Sequence, residues 1–234
     1  MAERPVHIDG KTKRIYQADN EDQVIIEFKD AESDFDGEKK AKFKNKGALR
    51  NTISNIIFEY LEGYNIPTHF TSVVSEIEMK ARKLSMIPIT VVVRNVAAGS
   101  LSERFKIEKG VQLKYPVLEY YLKDEKLDNP LILESHAYAF DYASPEEMKH
   151  ISRLASKVNA VLKSFLERRR IKLVDYKLEF GRYKNIIMLG DEITPDTCRL
   201  WDIENGSIKD NYFLFDNSKA ASSYQEIHDR IVGS

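Results

Sequence analysis

The sequence predicts an α+β protein in two parts, a small antiparallel-sheet region over residues 1–86 and a larger region over residues 87–234. Three observations carry that reading. From Leu173 to Phe180, Val174, Tyr176, Leu178 and Phe180 alternate with Asp175, Lys177 and Glu179, which is a strand with one apolar face and one ionic face. Ser144-Pro145-Glu146-Glu147 is a capping box with proline at the first helical position, so a helix starts there. Lys13 to Gln17 and Val24 to Phe28 flank the polar turn Asp19-Asn20-Glu21-Asp22 and read as a hairpin.

The remaining elements follow in order. Residues 30–47 are charged, with glycines at 37 and 47, and read as a mobile loop. Leu49, Ile53, Ile56, Ile57, Tyr60 and Leu61 recur at helical spacing and stop at Gly63. His69 to Val74 and Met79 to Leu84 are further strands, and the resulting sheet with one helix resembles a protein-kinase small lobe. Ser85 to Pro88 then reads as a hinge, and Ile89 to Val93 as an apolar strand. Behind the Ser144 cap, Met148, Ile151, Leu154, Ala155, Val158, Val161, Leu162 and Phe165 form a buried stripe. Arg168, Arg169 and Arg170 fall in the last turn, where the helix dipole favours cations. Gly181 to Asn185 turns the ionic strand back into Ile186 to Leu189. Tyr224 to Val232 has the spacing of a short terminal helix, suited to packing on its own domain or on another subunit, so a homo-oligomer stays open.

Composition narrows the function class. A chain of 234 residues can bury roughly 70–75% of its unfolded surface. Acidic residues number 37 against 36 basic, so no global field favours nucleic acid or an anionic membrane. The single cysteine, Cys198, forms no internal disulfide, fits a reducing compartment and reads as a small buried hydrophobe. No apolar run approaches the ~20 residues that span a bilayer, and the N-terminus has no signal-peptide core. The expectation is a soluble cytoplasmic protein. The five histidines show no metal-ligand spacing.

Chemistry concentrates on the returning hairpin. It brings Asp191 back beside the strand that carries Asp175, Lys177 and Glu179. Carboxylates and a lysine gathered this way suit Mg²⁺ held against a nucleotide's phosphates. Alternating charges on a strand are more often a solvated face. Here Gly190-Asp191-Glu192, the turn Thr194-Pro195-Asp196-Thr197 and Arg199 crowd the same short span, which favours function. An apolar strand emptying into Arg94-Asn95-Val96-Ala97-Ala98-Gly99-Ser100 suits close approach of an anion, because small residues admit it and arginine offers a planar fork. Lys11 and Lys13, two apart on an extended chain, can clamp phosphates, although one glycine does not make a Walker loop.

The segments LVDYKLEFG and LGDEITPDTCRLWD resemble the two C-terminal signatures of the SAICAR synthetase family, the phosphoribosylaminoimidazole-succinocarboxamide synthases. MIPITVVVRNVAAGSL, starting at Met86, is similar to a third signature, and Gly10-Lys11-Thr12-Lys13-Arg14-Ile15-Tyr16 and Phe35-Asp36-Gly37 resemble the family's opening. The resemblance implies a C-terminal domain of ATP-grasp-like α/β architecture. It implies an ATP- and Mg²⁺-dependent ligase of purine biosynthesis that condenses L-aspartate with carboxyaminoimidazole ribonucleotide (CAIR), through an acyl phosphate. It further implies Lys177, Asp175 and Asp191 as catalytic residues, and Lys11, Lys13, Met86, Lys123, Glu179 and Asp191 around ATP. Glu179 and Asp191 become the Mg²⁺ ligands. Arg94, Ser100 and Arg199 become ribonucleotide-phosphate binders, and Asp36 a further substrate contact.

The chain departs from the family in places. Thr90 stands where the first signature usually has glutamate, and Lys209-Asp210-Asn211-Tyr212-Phe213-Leu214 lacks a final arginine. Two rival readings share part of the pattern. A kinase or ligase acting on another small carboxylate would keep the nucleotide residues without the phosphate site of Arg94, Ser100 and Arg199. A binding module that kept the fold would be expected to lose the metal carboxylates, and both are present.

Overall fold

The computed structural model describes residues 4–35, 38–203 and 217–233. The first sheet is built from β1 (Val6–Asp9), β2 (Lys13–Gln17) and β3 (Gln23–Phe28), and later from β6 and β7. β4 (Ser33–Phe35) and β5 (Glu38–Lys40) make a separate two-stranded ribbon. Helix α1 (Lys46–Glu62) follows and stops at Gly63, then β6 (Phe70–Val73) and β7 (Glu78–Arg82) complete the antiparallel order β1-β2-β3-β7-β6.

The second sheet begins with β8 (Ser85–Val96). Next come α2 (Gly99–Phe105), β9 (Gln112–Leu122), β10 (Leu131–Ile132), α3 (Glu134–Ala139) and α4 (Pro145–Glu167). β11 (Ile171–Tyr183), β12 (Ile186–Gly190), β13 (Cys198–Asp202) and α5 (Asn217–Val232) close the chain. The order is β10-β9-β8-β11-β12, all antiparallel, with β13 also on β11. β11 is long enough to take two partners along one edge. Its first half pairs β13, with Tyr176 opposite Cys198, and its second half pairs β12, with Glu179 opposite Gly190.

Packing follows the two-residue alternation of β11. Val174, Tyr176, Leu178 and Phe180 are all buried, the last three in one core with Ile151, Ala155, Val158 and Leu162 of α4. Ser144 caps α4 with its side chain, and Glu147 reaches back to close the capping box. Of the predicted stripe, Val161 is only partly buried, while Asn159 and Leu166 join the buried set. That core is continuous with Ile53, Ile57, Phe58 and Leu61 of α1 and with Ile227 and Ile231 of α5. The terminal helix therefore packs on its own chain. The sheets are joined by backbone: Leu189 N donates to Pro67 O at 2.9 Å, and His69 N donates to Leu189 O at 2.8 Å.

Several expectations need correction. Ser85 to Pro88 is not a hinge loop but the start of β8, with Met86 paired opposite Gly181. The predicted loop 30–47 contains β4 and β5, and α1 already begins at Lys46. Arg168 is the residue after α4 and Arg170 adopts a φ of 57°, so the arginine run lies beyond the helix's last turn. β1, β9, β13, α2 and α3 were not expected. Asp36, Gly37 and the segment from Lys209 to Leu214 lie outside the described residues.

Candidate active site

Asp175 and Glu179 on the ionic face of β11 are buried, so their charges must be paired. Register sets what they meet. Asp175 stands opposite Arg94 of β8 and Arg199 of β13, Lys177 opposite Val92, and Glu179 opposite Thr90. On the far side of β8, Glu119 of β9 lies opposite Val92, and Tyr121 opposite Thr90. Directly opposed residues share a sheet face. One face thus carries Arg199, Asp175, Arg94, Lys177, Glu119, Thr90, Tyr121 and Glu179.

At one end of this face, two buried arginines hold one buried carboxylate. Asp175 Oδ2 accepts from Arg94 Nη1 at 3.0 Å and from Arg199 Nη1 at 2.6 Å. Arg94 Nε donates to Glu119 Oε2 at 2.8 Å, and Arg94 Nη2 donates to Ser100 Oγ at 2.9 Å. All three charged groups that were expected here, Asp175, Arg94 and Arg199, are at most 2% exposed. Ser100 joins them because β8 runs through Ala97, Ala98 and Gly99 straight into α2, and Gly99 takes a φ of 52° that side chains disfavour. Asp175 is thus turned onto two guanidiniums rather than toward solvent.

At the other end, the two expected metal carboxylates each hold a lysine. Glu179 accepts from Lys123, which follows β9 and whose side chain stays 54% exposed. Asp191 accepts from Lys13 at the start of β2, and the same ammonium lies 3.1 Å from Glu192. Asp191 follows Gly190, the partner of Glu179, and takes a φ of 59°, which aspartate tolerates better than most residues. Among the described residues Lys177 makes no ion pair, and its charge helps to draw the Asp191 carboxyl down. Lys11 is exposed in the β1–β2 connection.

Met86 is half exposed and leans over two glycines. A Cβ at Gly181 would lie 2.8 Å from Leu84 Cβ and 3.0 Å from Met86 Sδ, and one at Gly190 would lie 3.1 Å from Leu84 Cδ1. Glycine at both positions lets Leu84 and Met86 cross the hairpin beside Asp191. The result is an apolar surface next to the lysine–carboxylate pairs.

Behind Asp191 lies a buried ionic network that sequence reasoning missed. Arg50 of α1 grips Glu192 with two donors, Nε at 3.0 Å and Nη2 closer still. Lys46 Nζ is 2.7 Å from Asp196 Oδ1, and Tyr224 of α5 donates to Asp196 Oδ2 at 2.9 Å. Burial would raise the Glu192 carboxyl, but Arg50 and Lys13 outweigh it and hold it well below the usual range. For Asp191 burial again pushes upward, and Lys13 brings the net shift below the ordinary value. Burial would lower the Lys13 ammonium, yet Asp191 and Glu192 raise it, so it stays charged at neutral pH. Buried His69 is pushed down to about 4, because desolvation outweighs the nearby Asp191 carboxylate. Glu119, Arg104 and Tyr121 were also missed. The sequence signal was available for Glu119, which alternates with Leu118 and Tyr120, but not for Arg104 on a separate helix.

Comparison with known proteins identifies the family. The SAICAR synthetase family model matches residues 6–231. A phosphoribosylaminoimidazole-succinocarboxamide synthase of Prosthecochloris aestuarii is 45% identical over 225 residues, covering 96% of each chain. A solved SAICAR synthetase in complex with ADP superposes with a TM-score of 0.90 at 44% identity, covering 97% of both chains. The phosphoribosylaminoimidazole-succinocarboxamide synthase of Ehrlichia chaffeensis gives a TM-score of 0.88 at 36% identity, over 98% of this chain and 99% of that one. The chain belongs to the SAICAR synthetase family, the ATP-dependent ligases that join CAIR and aspartate in purine biosynthesis.

Proposed function

We propose that the ionic face of β11 is where this chain performs that ligation, through an acyl phosphate. A carboxylate is a poor electrophile because amine attack must expel oxide. In the proposed route a CAIR carboxylate oxygen attacks the γ-phosphorus of ATP, the bond from that phosphorus to the β-bridging oxygen breaks, and ADP leaves. The amine of L-aspartate then adds to the acyl carbon, loses a proton, and the carbon–oxygen bond to phosphate breaks. Amide and inorganic phosphate result.

The single observation that carries this reading is the division of labour along one strand. Asp175 and Glu179 lie on one face four residues apart, roughly 13 Å at strand rise. That span suits a mononucleotide whose phosphate sits by Arg94, Ser100 and Arg199 and whose ring carboxylate reaches toward Lys177. Lys13, Lys123 and the exposed Lys11 suit the phosphates of ATP, and Met86 suits the face of its base. Asp175 acts by orienting both arginines, and Lys177 by stabilising charge on the transferring phosphoryl group. The segments 1–86 and 87–234 then serve as ATP-side and substrate-side lobes, the first resembling a kinase small lobe and the second ATP-grasp-like. Asp36 is kept as a substrate contact on the family resemblance alone, and a cytoplasmic location is the setting we propose for this chemistry.

The donor set fits Mg²⁺. Glu179 and Asp191 are hard oxygen donors, each already holding a cation in the form of an ammonium. Among the described residues no cluster of three or more acidic, histidine or cysteine ligands forms a complete cage. Mg²⁺ bound with a nucleotide needs only one or two carboxylates, the rest being phosphate and water. When bound, it neutralises charge on the β- and γ-phosphates.

The test is isotopic. CAIR labelled with ¹⁸O in its carboxylate, incubated with ATP, L-aspartate and Mg²⁺, should deliver one labelled oxygen to inorganic phosphate. Label appearing only in water would overturn the acyl-phosphate route.

A further inference from the structure

The arginine end of the site contains a third guanidinium, that of Arg104. Arg104 lies on α2, one turn after Ser100. Its Nη1 donates to Ser100 Oγ at 2.9 Å and to Tyr121 OH at 3.0 Å, and its Nη2 donates to Glu119 Oε1. Ser100 Oγ therefore accepts from both Arg94 and Arg104 at the same distance. Glu119 is likewise shared, one oxygen to each arginine.

The two arginines differ in freedom. The Arg94 side chain is 1% exposed and fixed by two carboxylates on opposite edges of its guanidinium. That of Arg104 is 33% exposed, and burial lowers its basicity less than Glu119 and Tyr121 together raise it. Arg94, Arg104 and Arg199 against Glu119 and Asp175 sum to one net positive charge, three minus two. A buried arginine pinned this way can present only one edge to a ligand. A partly exposed arginine can rotate about its long side chain and close over one.

We infer that Arg104 is a further ribonucleotide-binding residue: it closes onto the substrate's phosphate with Ser100, and Glu119 parks it there beforehand. This rests on the reading that Arg94, Ser100 and Arg199 form the phosphate site. Arg94 and Arg199 are the fixed floor of that site, and Arg104 is its movable arm. Glu119 is a positioning residue, orienting Arg94 through Nε and holding Arg104 through Nη2 until a phosphate offers charged oxygens to replace it.

The experiment compares CAIR with its nucleoside, which lacks the phosphate, in wild type, Arg104→Gln, Arg104→Lys and Glu119→Gln. Wild type should prefer the nucleotide strongly in kcat/KM. Arg104→Gln should reduce that preference about 10–100-fold, the range for a charged hydrogen bond, mainly through KM for the nucleotide. KM for ATP should stay within about twofold, and Arg104→Lys should recover part of the preference because a point charge replaces a fork. Glu119→Gln, which loosens the parked arm, should raise KM for the nucleotide more than for ATP. Equal losses by Arg104→Gln on nucleotide and nucleoside would mean a purely structural residue and overturn the inference. An unchanged nucleotide KM would overturn it as well. A wild type indifferent to the phosphate would instead sink the phosphate-site reading beneath it, which a nucleotide preference lost only in Arg104→Gln cannot do.

Discussion

Lys13 of the first sheet donates to Asp191 at the end of β12 in the second, so the two sheets meet at an ion pair. The contact is braced from behind by Glu192, which holds Lys13 at 3.1 Å while Arg50 of α1 grips the same carboxylate. On the proposed reading, a charge used in phosphoryl transfer is thereby fixed before any substrate arrives, which is the preorganisation such chemistry requires.

Asp191→Asn isolates that charge. Asparagine keeps the shape and tolerates the φ of 59° at this position, and Lys13 retains Glu192 as partner. The variant should fold like wild type by circular dichroism and lose at least about 100-fold in kcat, the scale of removing one electrostatic stabiliser. Near-normal turnover in a folded variant would take Asp191 out of the site.

Arg199→Ala tests the other end. Its guanidinium holds Asp175 Oδ2 at 2.6 Å, so removal leaves that buried carboxylate to Arg94. Ribonucleotide binding should weaken by about 1.5–3 kcal/mol, the range for a charged hydrogen bond. The measurement is KM for CAIR with ATP and aspartate saturating, and an unchanged value removes Arg199 from phosphate binding.

How much of this was legible before the structure depends on distance along the chain. The two faces of β11, the α4 capping box and the β2–β3 hairpin depend on residues a few positions apart, so the pattern shows them. β1 was invisible because all four of its residues are exposed and carry no burial pattern. β9 was missed because its first half is mostly exposed and contains Pro116, while only its end at Tyr120 and Leu122 enters the core. The network of Arg50, Lys46, Glu192 and Asp196 joins residues more than a hundred positions apart. Nothing in the local alternation marks such pairs, and α1 reads only as an amphipathic helix. Arg104 was missed for the same reason, since its partner Glu119 lies on another element.

Arg50→Ala should be the most destabilising single change in that network. It strands Glu192, which is 4% exposed, with Lys13 as its remaining cation and the Thr194 hydroxyl as a neutral donor. Breaking a buried pair from one side costs about 3–5 kcal/mol. Urea unfolding should show that loss, and a change below about 1 kcal/mol would mean that water reaches the site.

His69 supplies a pH dependence of stability. Its folded value of about 4 lies below the unfolded 6.5, so the unfolded chain binds the proton more readily. The contribution of the neutral buried ring is complete above pH 6.5 and is lost as pH falls toward 4, by about 3 kcal/mol in all. Between pH 7 and pH 5 wild type should lose about 2 kcal/mol in urea unfolding. His69→Phe should remove most of that slope, and an equal slope in both proteins would contradict the assignment.

The most direct measurement is ADP release with Mg²⁺, CAIR and L-aspartate, each omitted in turn. Release that requires CAIR and Mg²⁺, with aspartate incorporated into the product when present, is the predicted result. ADP release that ignores CAIR, or none at all from folded protein, would contradict the claim that the ionic face of β11 activates the ribonucleotide's carboxylate.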